Sequence, residues 1–218
     1  MSIDLTYKEN EMRRQRLLVS VALFTVAMSL TSPVSTRSVV AAGASQETQP
    51  VYTTPDGFLL GDAVPGAYAK LVRNKNGITT NVHTSLTGDG VYTIWWVIFN
   101  HPEACTTFLC TFDEPDLVVN ATGKIVSGGP ANFGAWVGPG GPYSGEIIYE
   151  GPDASLTNPE GALITLVLRY HGPAIQGQIP EQLTTFLGGC PNGGAPCVDE
   201  QLVVFPGDCS GACLVPFP

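Results

Sequence analysis

Beyond residue 58, short β-branched and aromatic runs alternate with Gly, Pro, Asn and Asp at roughly regular intervals, the pattern of an all-β domain. Residues 67–72 form one such run, closed by Asn74-Lys75-Asn76-Gly77, whose Asn-Gly step favours a tight hairpin. Residues 78–86 then alternate strictly. Ile78, Thr80, Val82, Thr84 and Leu86 share one face and Thr79, Asn81, His83 and Ser85 the other, so this strand is half-buried with His83 on its polar side. Thr87-Gly88-Asp89-Gly90 turns the chain into residues 91–100, where the alternation disappears: Thr93, Trp95, Val97 and Phe99 oppose Tyr92, Ile94, Trp96 and Ile98. A strand apolar on both sides is central and covered twice. In a two-sheet sandwich one face meets the core, and the second needs a loop, a partner chain or a ligand over it. Further strands are predicted at 124–127, 132–137, 145–150, 162–170 and 198–205, with one short helix at 180–186, where Pro180 starts the turn and Glu181 meets the positive end of its dipole. The fold expected is an antiparallel β-sandwich, with a small β-barrel as the alternative, since a closed barrel shows the same alternation.

Two connections exceed simple turns. Residues 101–116 carry Cys105, Cys110 and four acids, Glu103, Asp113, Glu114 and Asp116, and residues 171–197 carry Cys190 and Cys197. Loops of this length in a compact domain are functional, disordered or covering something. The doubly apolar strand supplies something to cover, so both read as lids over Trp95 or Trp96, with a binding loop as the second reading.

The amino-terminal region carries an address. Arg13-Arg14-Gln15-Arg16 precedes an uncharged apolar stretch, 17–30, too short to span a bilayer as a helix, and Ala41-Ala42-Gly43-Ala44 offers an A-x-A cleavage site. Residues 1–44 are therefore expected to be a signal peptide, 45–57 a polar flexible leader, 58–205 the domain, and 206–218 a cysteine-containing tail. Export, to the periplasm or outside the cell, makes the six cysteines disulfides rather than thiols. Their spacing suggests three local pairs, Cys105 with Cys110, Cys190 with Cys197 and Cys209 with Cys213, each contributing about 2–2.5 kcal/mol through loop closure.

Composition narrows the function. Charged residues are 13% of the chain while Gly and Pro number 25 and 18, which excludes a coiled coil. A formal net charge of -9 without a basic cluster in the folded part excludes nucleic acid as a partner. Removing residues 1–44 takes five basic and three acidic side chains, leaving 5 against 16, or -11, and no transmembrane span.

Candidate chemistry is sparse. His83, His101 and His171 are the only imidazoles; the last two directly follow predicted strands, so the three can meet at one rim as a zinc or copper site. Trp95, Trp96, Trp136 and Tyr143, with Tyr92 beside them, are candidates for a carbohydrate or aromatic-ligand platform, set against core packing. The acids of 101–116 lack the order of a calcium loop and read as a solvated surface. No nucleophile elbow, phosphate loop or paired carboxylate singles itself out, so no catalytic residue is assigned. Asn120-Ala121-Thr122 is a glycosylation sequon, expected at an exposed strand end.

The segment Trp95-Trp96-Val97-Ile98-Phe99-Asn100-His101-Pro102-Glu103-Ala104-Cys105, with Tyr170-His171-Gly172-Pro173-Ala174 and Gly188-Gly189-Cys190, resembles a family of uncharacterised exported bacterial proteins over most of 67–205. The resemblance implies an extracytoplasmic β-rich domain and carries no activity. His171-Gly172-Pro173-Ala174 is also similar to a segment of chordin-type repeats, the rest of which has no counterpart here. The expected function is a non-catalytic binding or cell-envelope module with a protein or carbohydrate ligand, able to oligomerise; the alternative is an extracytoplasmic zinc or copper protein.

Overall fold

The computed structural model describes residues 38–40, 44–55, 60–190 and 195–214; the basic and apolar segments expected of a signal lie outside the described residues. The chain is all-β. Its strands are β1 (Ser38–Val40), β2 (Ala44–Thr53), β3 (Ala63–Asn74), β4 (Gly77–Leu86), β5 (Gly90–Phe99), β6 (Leu117–Val126), β7 (Gly129–Val137), β8 (Ile147–Glu150), β9 (Leu163–Tyr170) and β10 (Val198–Phe205), with one short helix, α1 (Ile179–Thr184). They form a single antiparallel sheet in the order β7-β4-β3-β2-β10-β9-β5-β6-β8, β1 pairing separately with β2. A two-residue connection links β6 to β7, which stand near opposite ends of that order, so the sheet must curl back on itself into a half-barrel. The two arms then face each other as the layers of a sandwich do, around one core drawn from both: Leu71, Ile78, Val82 and Phe133 from one arm, and Ile94, Trp96, Leu117, Val119 and Leu166 from the other.

The hairpin at Asn74-Lys75-Asn76-Gly77 forms as the sequence predicts, with Asn74 opposite Gly77 and the Asn74 side chain accepting from the Asn76 N–H. Gly77 is needed there: at φ 140° it brings its backbone so close to Val137 that a Cβ would lie 2.3 Å from that carbonyl oxygen. In β4 the five residues expected inside are all buried. In β5 every residue is buried, Tyr92, Ile94, Trp96 and Ile98 in the inner core and Trp95, Val97 and Phe99 in a second cluster on the outer face with Leu163, Val167, Cys110, Cys209 and Cys213. The expected double cover is therefore present, and the alternation sends Trp96 inward and Trp95 outward.

Two expectations need correction. The segment 45–57, read as a flexible leader, holds most of β2, which pairs with β3 along one edge and β10 along the other. Its polarity hid it: the inward positions are Val51 and Glu47, and Glu47 is an acceptable core residue because Arg73 of β3 meets it. A cut after Ala44 would remove β1 and leave the ladder from Ser45 to β3 in place. Asn120, expected at an exposed strand end, is buried inside β6, and its Oδ1 lacks a partner among the described residues.

Candidate functional site

The outer face of β6, β5, β9 and β10 presents two consecutive rows of side chains. Val118, Val97, Thr165 and Val204 lie abreast in one; Asn120, Trp95, Val167 and Leu202 in the next. Because both faces of these strands are apolar, the outer rows form the floor of a second hydrophobic layer. The connection 101–116 folds over part of it and leaves a cleft of about 360 Å³, with Phe108, Leu109 and Asp113 in its walls and Phe186 at one end.

Phe186 is clamped. Its ring meets Trp95 edge-on at 5.3 Å, while the Arg169 guanidinium stacks 3.8 Å from its centre. Arg169 also donates from Nε to the Phe186 carbonyl at 2.9 Å and from Nη1 to Asp199 at 2.6 Å. The guanidinium thus fixes both the ring and the backbone of a residue that lines the cleft.

The covering loop is built around Asp113. One carboxylate oxygen accepts the N–H and O–H of Thr106, the other the N–H and O–H of Thr107. Burial works to raise the Asp113 pKa, but these four donors outweigh it and hold the carboxyl below its ordinary value. The same loop is closed by the Cys105–Cys110 disulfide, and Leu109 and Cys110 adopt φ of 48° and 55°, a left-handed geometry that a non-glycine residue keeps only when its surroundings enforce it.

The second long connection is pinned by His171, which is fully buried. A relay runs from the Trp95 indole N–H to Thr93 Oγ1 at 2.8 Å, from the Thr93 hydroxyl to His171 Nε2 at 2.7 Å, and from His171 Nδ1–H to the Gly188 carbonyl at 2.9 Å. Each group donates once, which suits a neutral imidazole. Buried Gln182 of α1 donates to the carbonyls of His171 and Pro173 and accepts from the Ile175 N–H. Burial pushes the His171 pKa down, against the opposing Gly188 hydrogen bond. Below pH of about 6.5 the unfolded chain therefore takes up a proton that the folded chain refuses, so His171 supports stability above that pH and the support is lost as pH falls toward the folded value. The urea midpoint is expected to fall more steeply between pH 7 and 5 in the native protein than in His171→Gln; parallel profiles would remove His171 as the cause.

The three imidazoles have separate surroundings. His83 pairs with Asn132 and stacks near Tyr68, and exposed His101 lies between Glu103 and Asp153, its pKa raised first by the Glu103 hydrogen bond. Among the described residues, three potential ligand atoms come within 4.8 Å only in His171 with Cys190 and Cys197, and in Cys105 with Cys110 and Asp113. In both groups the sulfurs are joined as disulfides, as are Cys209 and Cys213, giving the three local pairs expected. The structure thus does not gather His83, His101 and His171 into one ligand set. Nor does it assemble the aromatic platform: Trp95 alone lines the cleft, Trp96 is in the inner core, Tyr143 packs against that core, and Trp136 is half exposed on β7. The loop acids also disperse, Asp116 capping the Asn100 N–H, Glu114 accepting from Tyr149 and Glu103 meeting His101. Sequence reading does not single out Thr165, Phe186 or Arg169; the apolar run around Thr165 and the lone Arg within it are the available signals.

Among the described residues, no helix is long and apolar enough to cross a membrane. Comparison with protein-family models, curated proteins and solved structures finds no match.

Proposed function

We propose that the protein is an exported, non-catalytic binding module that holds a small apolar ligand in the cleft on the outer face of its sheet. The observation that carries this reading is the cleft itself: about 360 Å³, within the range of ligand pockets, floored by four hydrogen-bonded strands and walled by a loop that its own contacts hold in place. The ionisable side chain in the cleft wall, Asp113, is turned to the threonines of its own loop rather than set against a second acid or base, which suits binding over proton transfer. Three disulfides support export, since such bonds persist in oxidising compartments.

The neutral dye 1-N-phenylnaphthylamine tests the site. Its emission should rise with saturable binding, and Val204→Trp, which fills the floor from a position only partly buried, should weaken that binding at least roughly tenfold, or about 1.4 kcal/mol. A far-UV circular dichroism spectrum and thermal midpoint like those of the native protein establish that the variant is folded. Dye binding indifferent to Val204→Trp, or no dye binding at all, would overturn the reading.

A further inference from the structure

The chemistry of the cleft restricts what it accepts, an argument that rests on the binding reading above. Among the described residues lining it, Thr111, Asp113 and Thr165 carry the polar side chains. The Thr111 hydroxyl donates to the Phe108 carbonyl. A carboxylate offers about four lone-pair sites, and Asp113 fills them with the four donors of Thr106 and Thr107, so no acceptor is left for an ammonium or guanidinium entering the cleft. A cation there would exchange its hydration for Coulomb attraction to Asp113 alone, with no hydrogen bond to replace its water. An anion would meet the ionised Asp113 in the wall and an acidic chain of net charge -9 beyond it.

Thr165 differs. It stands mid-row on the floor between Val97 of β5 and Val204 of β10, and its hydroxyl has no partner among the described residues. It is partly exposed, so in the empty cleft water can serve it; a ligand that displaces the water must replace that hydrogen bond or lose affinity.

We infer that the cleft selects an uncharged, largely hydrocarbon molecule carrying one hydrogen-bonding group, which is placed against Thr165. Asp113 shapes the wall and opposes anions, and it offers the bound molecule no hydrogen bond.

Displacement of 1-N-phenylnaphthylamine by 1-decanol, decylammonium and decanoate, at neutral pH and below their micelle-forming concentrations, tests this directly. Decanol is expected to displace the dye at concentrations at least about tenfold lower than either ion. Thr165→Val, which keeps the shape and removes the hydroxyl, should weaken decanol about two- to tenfold once its displacement is corrected for the dye affinity measured on the same variant, and Thr165→Ser should restore decanol binding. Either ion matching or exceeding decanol would overturn the selection for neutral ligands. Equal decanol affinity in the native protein and Thr165→Val would overturn the role of Thr165. If the dye binds in the cleft and decanol fails to displace it, the ligand class is wrong while the binding reading stands; if the dye does not bind, the binding reading itself fails.

Discussion

Replacing Arg73 by Met is expected to destabilise the domain by about 3–5 kcal/mol, a fall in thermal midpoint of roughly 6–20 °C for a domain of this size. Arg73 lies fully buried on β3. Its Nε donates to Glu47 at 2.7 Å, Nη1 to the Ala162 carbonyl at 2.7 Å, and Nη2 to the Phe205 carbonyl at 3.3 Å. One side chain thus ties β2, β3, the entry to β9 and the end of β10, strands that belong to different parts of the curled sheet. Met fills comparable volume, so the loss is mainly electrostatic: a carboxylate stranded among apolar neighbours and three carbonyls, those of Pro159, Ala162 and Phe205, without their donor. Lys is not a substitute, because a single ammonium cannot reach the same four acceptors that the guanidinium fork serves. The test is the double variant. Glu47→Met combined with Arg73→Met removes the stranded charge and should recover a large part of the loss, since buried pairs replaced together by apolar groups approach neutrality. A double variant no more stable than Arg73→Met would mean that packing, not the orphaned charge, sets the cost. Equilibrium urea unfolding of the three proteins decides between these.

The same pair explains why part of the fold is invisible in the sequence. β4 and β5 declare themselves because their inward residues are apolar and the period of two is unbroken. β2 does not, since one of its two inward residues is Glu47, whose burial makes sense only with a partner 26 residues later. β6 is predicted only at its far end because Asn120 and Gly123 interrupt it and a register shift opposite Ile94 and Trp95 breaks the alternation. The candidate site shows the same division. That β5 needs cover on both faces is legible residue by residue. Which of Trp95 and Trp96 faces the covering loops is not, because it depends on how the sheet curls. The loop acids look alike in sequence, yet Asp113 differs from its neighbours once the closed loop brings Thr106 and Thr107 onto it. His171 reads as a ligand candidate because it follows a strand; its buried neighbours Thr93 and Gly188 come from 78 residues before and 17 after, and together they satisfy both of its nitrogens.

Reduction with dithiothreitol should separate the two layers of the molecule. No disulfide joins strands of the inner core, whereas Cys110, Cys209 and Cys213 all belong to the outer cluster. Opening the Cys105–Cys110, Cys190–Cys197 and Cys209–Cys213 loops removes about 2–2.5 kcal/mol of loop-closure support from each segment. That support matters most where the backbone is strained, at Leu109 and Cys110, and where only a thin apolar layer holds the cover down. The expected result is a red shift of tryptophan emission and loss of dye binding, with the β-sheet signal in the far ultraviolet retained. Three tryptophans make the assignment possible. Trp96 is sealed in the inner core and Trp136 is already half exposed, so neither has reason to change; Trp95, 1% exposed beneath Phe186, does. Trp95→Phe should therefore abolish the shift. Equal shifts in the native protein and Trp95→Phe, or a sheet signal that collapses together with the fluorescence change, would show that the disulfides hold the whole domain instead of the cover over one face.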